Sequence, residues 1–314
     1  MAMSSEPSTP DSAEVVISDE LLAPIESGVE LCYQTFGDPD DDPLLLVMGL
    51  GGPMTWWDTE LCVELAAQGF HVIRYDNRDT GRSTRSEGRV RRSHLVRAFV
   101  GAPTRAPYSI ADLAADAFGL LDHLGIEAAH VAGVSMGGFI AQTMAIEAPQ
   151  RVLSLASIMS STGRRTVGHQ HPSLLPTLLL ARSDRESYIE GSLAVWRIIG
   201  SPRFPKPEDE LRERGHETWD RGVSRPGVMR QMMAVLTQPD RSRALTGVEV
   251  PTLVMHGLAD KMVNVSGGRA TAAAVPGARL VLIEGWGHDL PTPLFATFAR
   301  AIRSNADRVV TSSS

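Results

Sequence analysis

Lysine is nearly missing from this chain of 314 residues: only Lys206 and Lys261 occur, so arginine carries almost all of the positive charge, a matter of composition rather than of function. Cysteine is equally scarce. Cys32 and Cys62 lie far apart and form no CxxC pair or Cys/His cluster, which leaves them as free core thiols. No uninterrupted run of about 20 apolar residues occurs, so no transmembrane helix is expected. The opening residues MAMSSEPSTPDSAEVV lack the basic patch and apolar stretch of a signal peptide, and the protein is expected in the cytoplasm. A basic excess is also missing: a formal net charge of -7 argues against a nucleic-acid partner. No metal or nucleotide motif is present, and no cofactor is expected.

What is there suits a globular enzyme. The length allows one large α/β domain or two small ones, and a chain this long buries roughly 75% of its surface without help from a metal or disulfide. Residues 1–18 are rich in Ser, Pro, Asp and Glu and read as a disordered tail, and residues 306–314 read as a second loose end. Between them, short apolar runs alternate with helical patterns, the mark of a mostly parallel sheet flanked by helices. Strands are expected at 29–36, 43–48, 71–75, 130–134, 152–159, 252–256 and 279–283. Helices are expected at 59–68, 110–124, 137–147 and 293–302, the second carrying Leu113, Ala117, Leu120, Leu121 and Leu124 at helical spacing. The stretch 163–247 breaks this rhythm: it is polar and helical, is punctuated by Pro202, Pro205 and Pro207, and is expected to form a helical cap inserted into a core of 19–162 and 248–305.

Gly133-Val134-Ser135-Met136-Gly137 is a G-x-S-x-G pattern that ends a β-rich run and opens a helical one. Five residues alone say little, but this setting is the one the pattern needs. A sharp strand-to-helix turn strains the serine backbone and projects its hydroxyl above the sheet, and glycines two residues away on either side admit the close chain approach. A serine hydroxyl attacks poorly unless a base takes its proton. His288, in IEGWGHDLP directly after the last expected strand, is the candidate base. A carboxylate that fixes the imidazole tautomer completes such a site, and Asp260 in MHGLADKMV is the candidate; its alternative role is to cap a helix starting near Val265. Ser160, Ser161 and Thr162 leave the other possible acid position without a carboxylate, and Asp289 adjoins His288 too closely to orient its ring. The order Ser135, Asp260, His288 separates this arrangement from other serine hydrolases. For the oxyanion, the backbone N–H of Met136 supplies one donor, and that of Leu50, in the glycine-rich VMGLGGP, is the expected second.

The blocks VMGLGGPMTWW, YDNRDTGRST, GVSMGG, HGLADKMV and GWGHDLP together resemble the α/β-hydrolase superfamily over nearly all of residues 25–305. VMG and RYDNRDTGRS resemble its aclacinomycin methylesterase-like branch, whose members remove methyl from a carbomethoxy group on a polyketide. The resemblance implies an eight-stranded sheet, a helical cap over the active site, and no cofactor. One departure is Met48-Gly49, where many superfamily members have His-Gly before the oxyanion residue. The resemblance also implies that Asp76, Arg78 and Arg82 form a structural charge network.

The leading expectation is therefore a serine esterase acting on a small-molecule ester with a hydrophobic portion. Ser135 argues against epoxide hydrolases and haloalkane dehalogenases, which place an aspartate at the elbow. Perhydrolases (haloperoxidase-like enzymes) and carbon–carbon bond hydrolases keep the same three residues and stay open, as does a non-catalytic ligand-binding role. The segment 82–105 carries seven arginines against the single acid Glu87. It reads as an insertion near the mouth of the site: either a solvated loop, or a surface whose field attracts an anionic substrate or membrane.

Overall fold

Leucines and valines in the central strands alternate between two cores. In the computed structural model, which describes residues 15–174 and 184–309, Leu45 and Val47 face one apolar cluster while Leu44 and Leu46 face the other. Both faces of the sheet are thus buried, which is why these strands read as near-continuous apolar runs. The sheet has eight strands: β1 (Leu21–Pro24), β2 (Glu30–Phe36), β3 (Asp42–Val47), β4 (Phe70–Tyr75), β5 (Ala129–Val134), β6 (Val152–Ile158), β7 (Thr252–Gly257) and β8 (Arg279–Ile283). Their spatial order is β1-β2-β4-β3-β5-β6-β7-β8. Only β1 and β2 run antiparallel to their neighbours. From β4 to β8 all strands are parallel, so every loop that leaves a C-terminal strand end opens on one edge.

Helices α1 (Thr59–Ala66), α2 (Arg92–Phe99), α3 (Ile110–His123) and α4 (Met136–Glu147) precede β6. On one face of the sheet, α3 and α4 cover the cluster built on Leu113, Leu120, Ile140 and Met144. Helices α5 (Arg185–Ile199), α6 (Glu208–Gly222) and α7 (Arg225–Thr237) lie between β6 and β7, followed by α8 (Ser266–Ala274) and α9 (Phe295–Ala306). The opposite sheet face is covered by α1 and α9 through Leu61, Leu65, Phe298 and Ile302. Cys32 and Cys62 are buried free thiols, each pushed by burial up to about 12. Among the described residues no helix is long and apolar enough to cross a membrane.

The eight-stranded, mostly parallel architecture expected from the sequence is the one observed. The short edge strand β1 and helix α2 escaped the sequence reading, because four residues carry no usable period and a run of arginines hides a helical one. Residues 15–18, expected to end a loose tail, run beside β2: Ile17 bridges Phe36, and Ser18 N–H donates to the Thr35 carbonyl at 3.0 Å. The remainder of the expected tails, 1–14 and 310–314, and the part of the helical segment at 175–183 lie outside the described residues.

Candidate active site

Ser135 ends β5 and opens α4 with φ 57° and ψ −116°, a conformation that strains any residue bearing a side chain. The flanking glycines are sterically required. A Cβ on Gly133 would stand 2.1 Å from the Gly137 carbonyl oxygen, and one on Gly137 would stand 2.0 Å from that of Val47. The elbow is pinned to the end of β6, for Ser135 N–H donates to the Ile158 carbonyl at 2.9 Å and Ser160 Oγ donates to the Ser135 carbonyl at 2.8 Å. The Ser135 side chain is partly exposed, and its Oγ forms no hydrogen bond with any described residue.

Leu50 lies in the loop leaving β3. That loop passes over the serine: a Cβ on Gly49 would lie 3.2 Å from the Ser135 Cβ. It is held on both sides, by Asn77 Nδ2 donating to the Met48 carbonyl at 3.0 Å and by Gly51 N–H donating to Gln231 Oε1 at 2.7 Å. Among the described residues, the backbone N–H groups of Leu50 and Met136 donate to no protein acceptor.

Asp260 follows β7 and His288 follows β8. His288 Nδ1 lies 2.7 Å from Asp260 Oδ2, and both side chains are buried. Asp260 Oδ1 accepts from the N–H groups of Met262 and Val263, each at 2.8 Å. Burial alone would push the Asp260 carboxyl up. The charge of His288 and hydrogen bonds from His256 and His288 outweigh burial and hold it below its ordinary value. A carboxylate only accepts, so His288 carries a proton on Nδ1, and in the neutral ring Nε2 is then the acceptor. Asp260 does not cap α8, which begins at Ser266 with no side-chain cap.

Four hydrogen bonds fix the His288 loop. His288 N–H donates to the Ile199 carbonyl at the end of α5 (2.7 Å), and Trp286 Nε1 donates to the Asp289 carbonyl (2.7 Å). Buried Ser201 accepts from Gly287 N–H at 2.9 Å while donating to the Asp289 carboxyl. Burial holds the Asp289 carboxyl above its ordinary value. Asp289 therefore ties the loop to the chain after α5, and the histidine ring takes its carboxylate from Asp260.

Within the YDNRDTGRST block, Asp76 and Arg82 belong to one charge network that runs through Arg221 and Glu20, while Arg78 stands outside it. The acids of the block also reach into the helices between β6 and β7. Buried Asp76 accepts from Met54 N–H (2.7 Å), Arg82 N–H (2.9 Å) and the Arg221 guanidinium (2.8 Å). Asp79 pairs with Arg230 Nε and Nη2 at 2.8 and 2.6 Å and accepts from the Tyr108 hydroxyl at 2.7 Å. Arg78 instead pairs with Asp116, and Arg82 with Glu20. Gln231 Nε2 donates to the Arg78 carbonyl and to Thr80 Oγ1, both at 2.9 Å. Helices α5 to α7 thus bond to the loops leaving β3, β4 and β8, all on the edge that carries Ser135.

An apolar layer adjoins the acid loop. Leu174, Trp196 and Ile199 cluster with Trp56, Leu211 and Met262, and Met262 is the residue whose N–H bonds Asp260. Two open clefts are present, one of about 400 Å³ lined by Arg85, Tyr188 and Trp219, and one of about 590 Å³ lined by Thr55, Asp58 and Arg221. Among the described residues no group of three or more His, Cys, Asp or Glu side chains is arranged to hold a metal ion. Sequence reasoning missed His256, Ser201, Gln231, Arg221 and Arg230. His256 sits four residues before Asp260 at a strand end and was legible as a neighbour; the others had no local signal, since their partners are 80 or more residues away.

A family model described as alpha/beta hydrolase fold matches residues 42–187. Rhodomycin D methylesterase DnrP of Streptomyces peucetius is 31% identical over 300 residues, covering 87% of this chain and 94% of the relative. A putative carbamate hydrolase, RutD of Pseudomonas syringae pv. syringae, is 29% identical across 84% of this chain and 93% of its own. Among solved structures, the enol-lactonase of Burkholderia xenovorans superposes with a TM-score of 0.72 at 24% identity, over 92% of this chain and all of that one (100%). Sheet order, elbow and relatives agree: this chain belongs to the alpha/beta hydrolase fold family.

Proposed function

We propose that this protein is a carboxylic ester hydrolase that works through an acyl-enzyme on Ser135, with His288 as general base and then acid, and Asp260 orienting it. The observation that carries the reading is the Asp260–His288 pair, delivered to the same sheet edge as the strained Ser135 elbow. As Ser135 Oγ attacks the ester carbonyl carbon, its proton passes to His288 Nε2, and the resulting imidazolium is stabilised by the Asp260 carboxylate. The carbonyl oxygen, now an oxyanion, takes the unpaired N–H groups of Leu50 and Met136. Collapse breaks the bond to the alcohol oxygen, which leaves with the proton from His288. Water then attacks the acyl-serine by the same route, releasing the acid.

The methylesterase relative supports a methyl ester, and the layer of Trp56, Trp196, Ile199 and Met262 supports an apolar acyl part. Helices α5 to α7 serve as the cap, held down by Arg221, Arg230 and Gln231. The test is a panel of bulky methyl esters and short-acyl aryl esters assayed with wild type and Ser135→Ala. Turnover should fall by at least about 10³-fold in the variant, and a fluorophosphonate should label Ser135 in the wild type alone. Hydrolysis that survives Ser135→Ala at near wild-type rate overturns the reading.

A further inference from the structure

Helix α2 turns an apolar stripe outward. Val96, Phe99 and Val100 are 63%, 65% and 70% exposed, among the most exposed large apolar side chains in the described structure. They fall at i, i+3 and i+4, the spacing that places residues on one helical face. The helix is nevertheless not loose. Ala98 is buried, α2 packs on α7, and Arg165 donates to the carbonyls of Ala98 and Phe99 at 2.7 Å each, closing the C-terminal end. The stripe is therefore presented by a fixed element.

Charge in the segment that carries the stripe is almost all of one sign. Residues 82–105 hold seven arginines and one glutamate in a chain whose net charge is -7, so the remainder of the molecule is strongly acidic and the molecule is polarised. Arg82 and Arg85 are engaged with Glu20 and with backbone carbonyls. Arg89, Arg91, Arg92 and Arg105 are exposed, with no carboxylate within ion-pair distance among the described residues. An apolar stripe rimmed by unpaired guanidinium groups is complementary to an anionic lipid surface, where acyl chains take the apolar residues and headgroup phosphates take the arginines. A second copy offers the exposed apolar residues Val16, Ile17, Leu21 and Leu22 beside exposed Asp19, and the experiment below separates that occupant from a lipid surface.

We infer that α2 and its flanking arginines form a docking surface for anionic membranes. Because α2 follows β4 on the edge that carries Ser135, and packs on α7, whose Gln231 holds Gly51, docking brings that edge toward the bilayer, where an apolar ester partitions.

The experiment is co-sedimentation of the full chain with phosphatidylcholine vesicles and with vesicles containing roughly one-third phosphatidylglycerol. It is run on wild type, Phe99→Ser/Val100→Ser and Arg91→Gln/Arg92→Gln, with melting temperature and turnover of a water-soluble aryl ester as controls for folding. Expected is binding to the anionic vesicles at least about tenfold stronger than to the neutral ones, falling on raising salt from about 0.05 M to about 0.5 M, and a comparable loss in each variant with unchanged aryl ester turnover. No anionic preference in the wild type overturns the inference, as does equal binding by the variants. So does a dimer in solution that the serine variants dissociate, which assigns the stripe to a second copy. The readout is binding, so it stands or falls independently of Ser135 chemistry.

Discussion

His256 and His288 share one carboxylate oxygen: His256 Nε2 lies 3.3 Å from Asp260 Oδ2, which His288 Nδ1 approaches to 2.7 Å. His256 Nε2 also lies 2.7 Å from the Val263 carbonyl, an obligate acceptor, so that nitrogen carries the proton. His256 bonds the acid loop and helps hold the Asp260 carboxyl low, which on the proposed mechanism makes it a positioning residue. Replacing it with Leu should lower kcat/KM roughly five- to tenfold, the worth of about 1 kcal/mol. Gln, which restores an N–H donor, should recover most of the loss. Equal losses in both variants, or a loss matched by a collapse of melting temperature, would show that packing alone is at stake.

Two glycine substitutions separate the elbow from an ordinary turn. Gly137→Ala places a Cβ 2.0 Å from the Val47 carbonyl oxygen, backbone against backbone, where nothing yields. Gly69 has φ +80° but open space around its Cβ position. Denaturant melts should show a cost of about 1 kcal/mol for Gly69→Ala and at least about 3 kcal/mol, or no folded protein, for Gly137→Ala. Similar values for the two would contradict the crowding at the elbow.

Ser201→Ala removes the hydroxyl that bonds both Gly287 N–H and the Asp289 carboxyl, leaving the buried Gly287 N–H without an acceptor and the carboxyl without one of its donors. The expected stability cost is about 1–3 kcal/mol. Because the loop carries His288, kcat should fall more than KM rises. An unaltered kcat alongside a lowered melting temperature would leave Ser201 without a role in placing the histidine.

Burial lowers the His130 imidazole from its ordinary 6.5 to about 4, against Ser154 Oγ at 2.8 Å and the Phe70 ring. The folded value lies below the unfolded one, so between these two pH values the unfolded chain binds more protons and stability falls as pH drops. The loss is about 2 kcal/mol at pH 5 and about 3 kcal/mol by pH 4. His71, lowered in the same direction, adds to the trend. Urea titrations at pH 7 and pH 5 should show a smaller difference for His130→Asn than for the wild type. Parallel behaviour would mean that the imidazole is protonated in the folded state.

Much of this molecule is written locally. The strands β3, β5, β6 and β7 read as apolar runs because both their faces are buried, and the G-x-S-x-G turn reads as an elbow because steric crowding there forbids any residue but glycine at 133 and 137. Asp260 and His288 were legible for a related reason: a parallel sheet delivers the residues just after each strand to a single edge, so sequence position after a strand is already a spatial statement. The Arg-rich segment announced its charge but not its helix, nor that its apolar side chains face outward.

What only the tertiary structure decided is which distant groups meet. Nothing near Asp76 or Asp79 in the chain foretells Arg221 and Arg230, and the sequence reading paired the block with itself. Ser201 and Gln231 were silent for the same reason, since a hydrogen bond across 80 to 180 residues depends on how helices pack, and packing is set by the summed shape of many side chains rather than by any local period. The chain alone determined the kind of turn and the edge at which the candidate residues gather; three-dimensional packing determined the partners that hold those groups still.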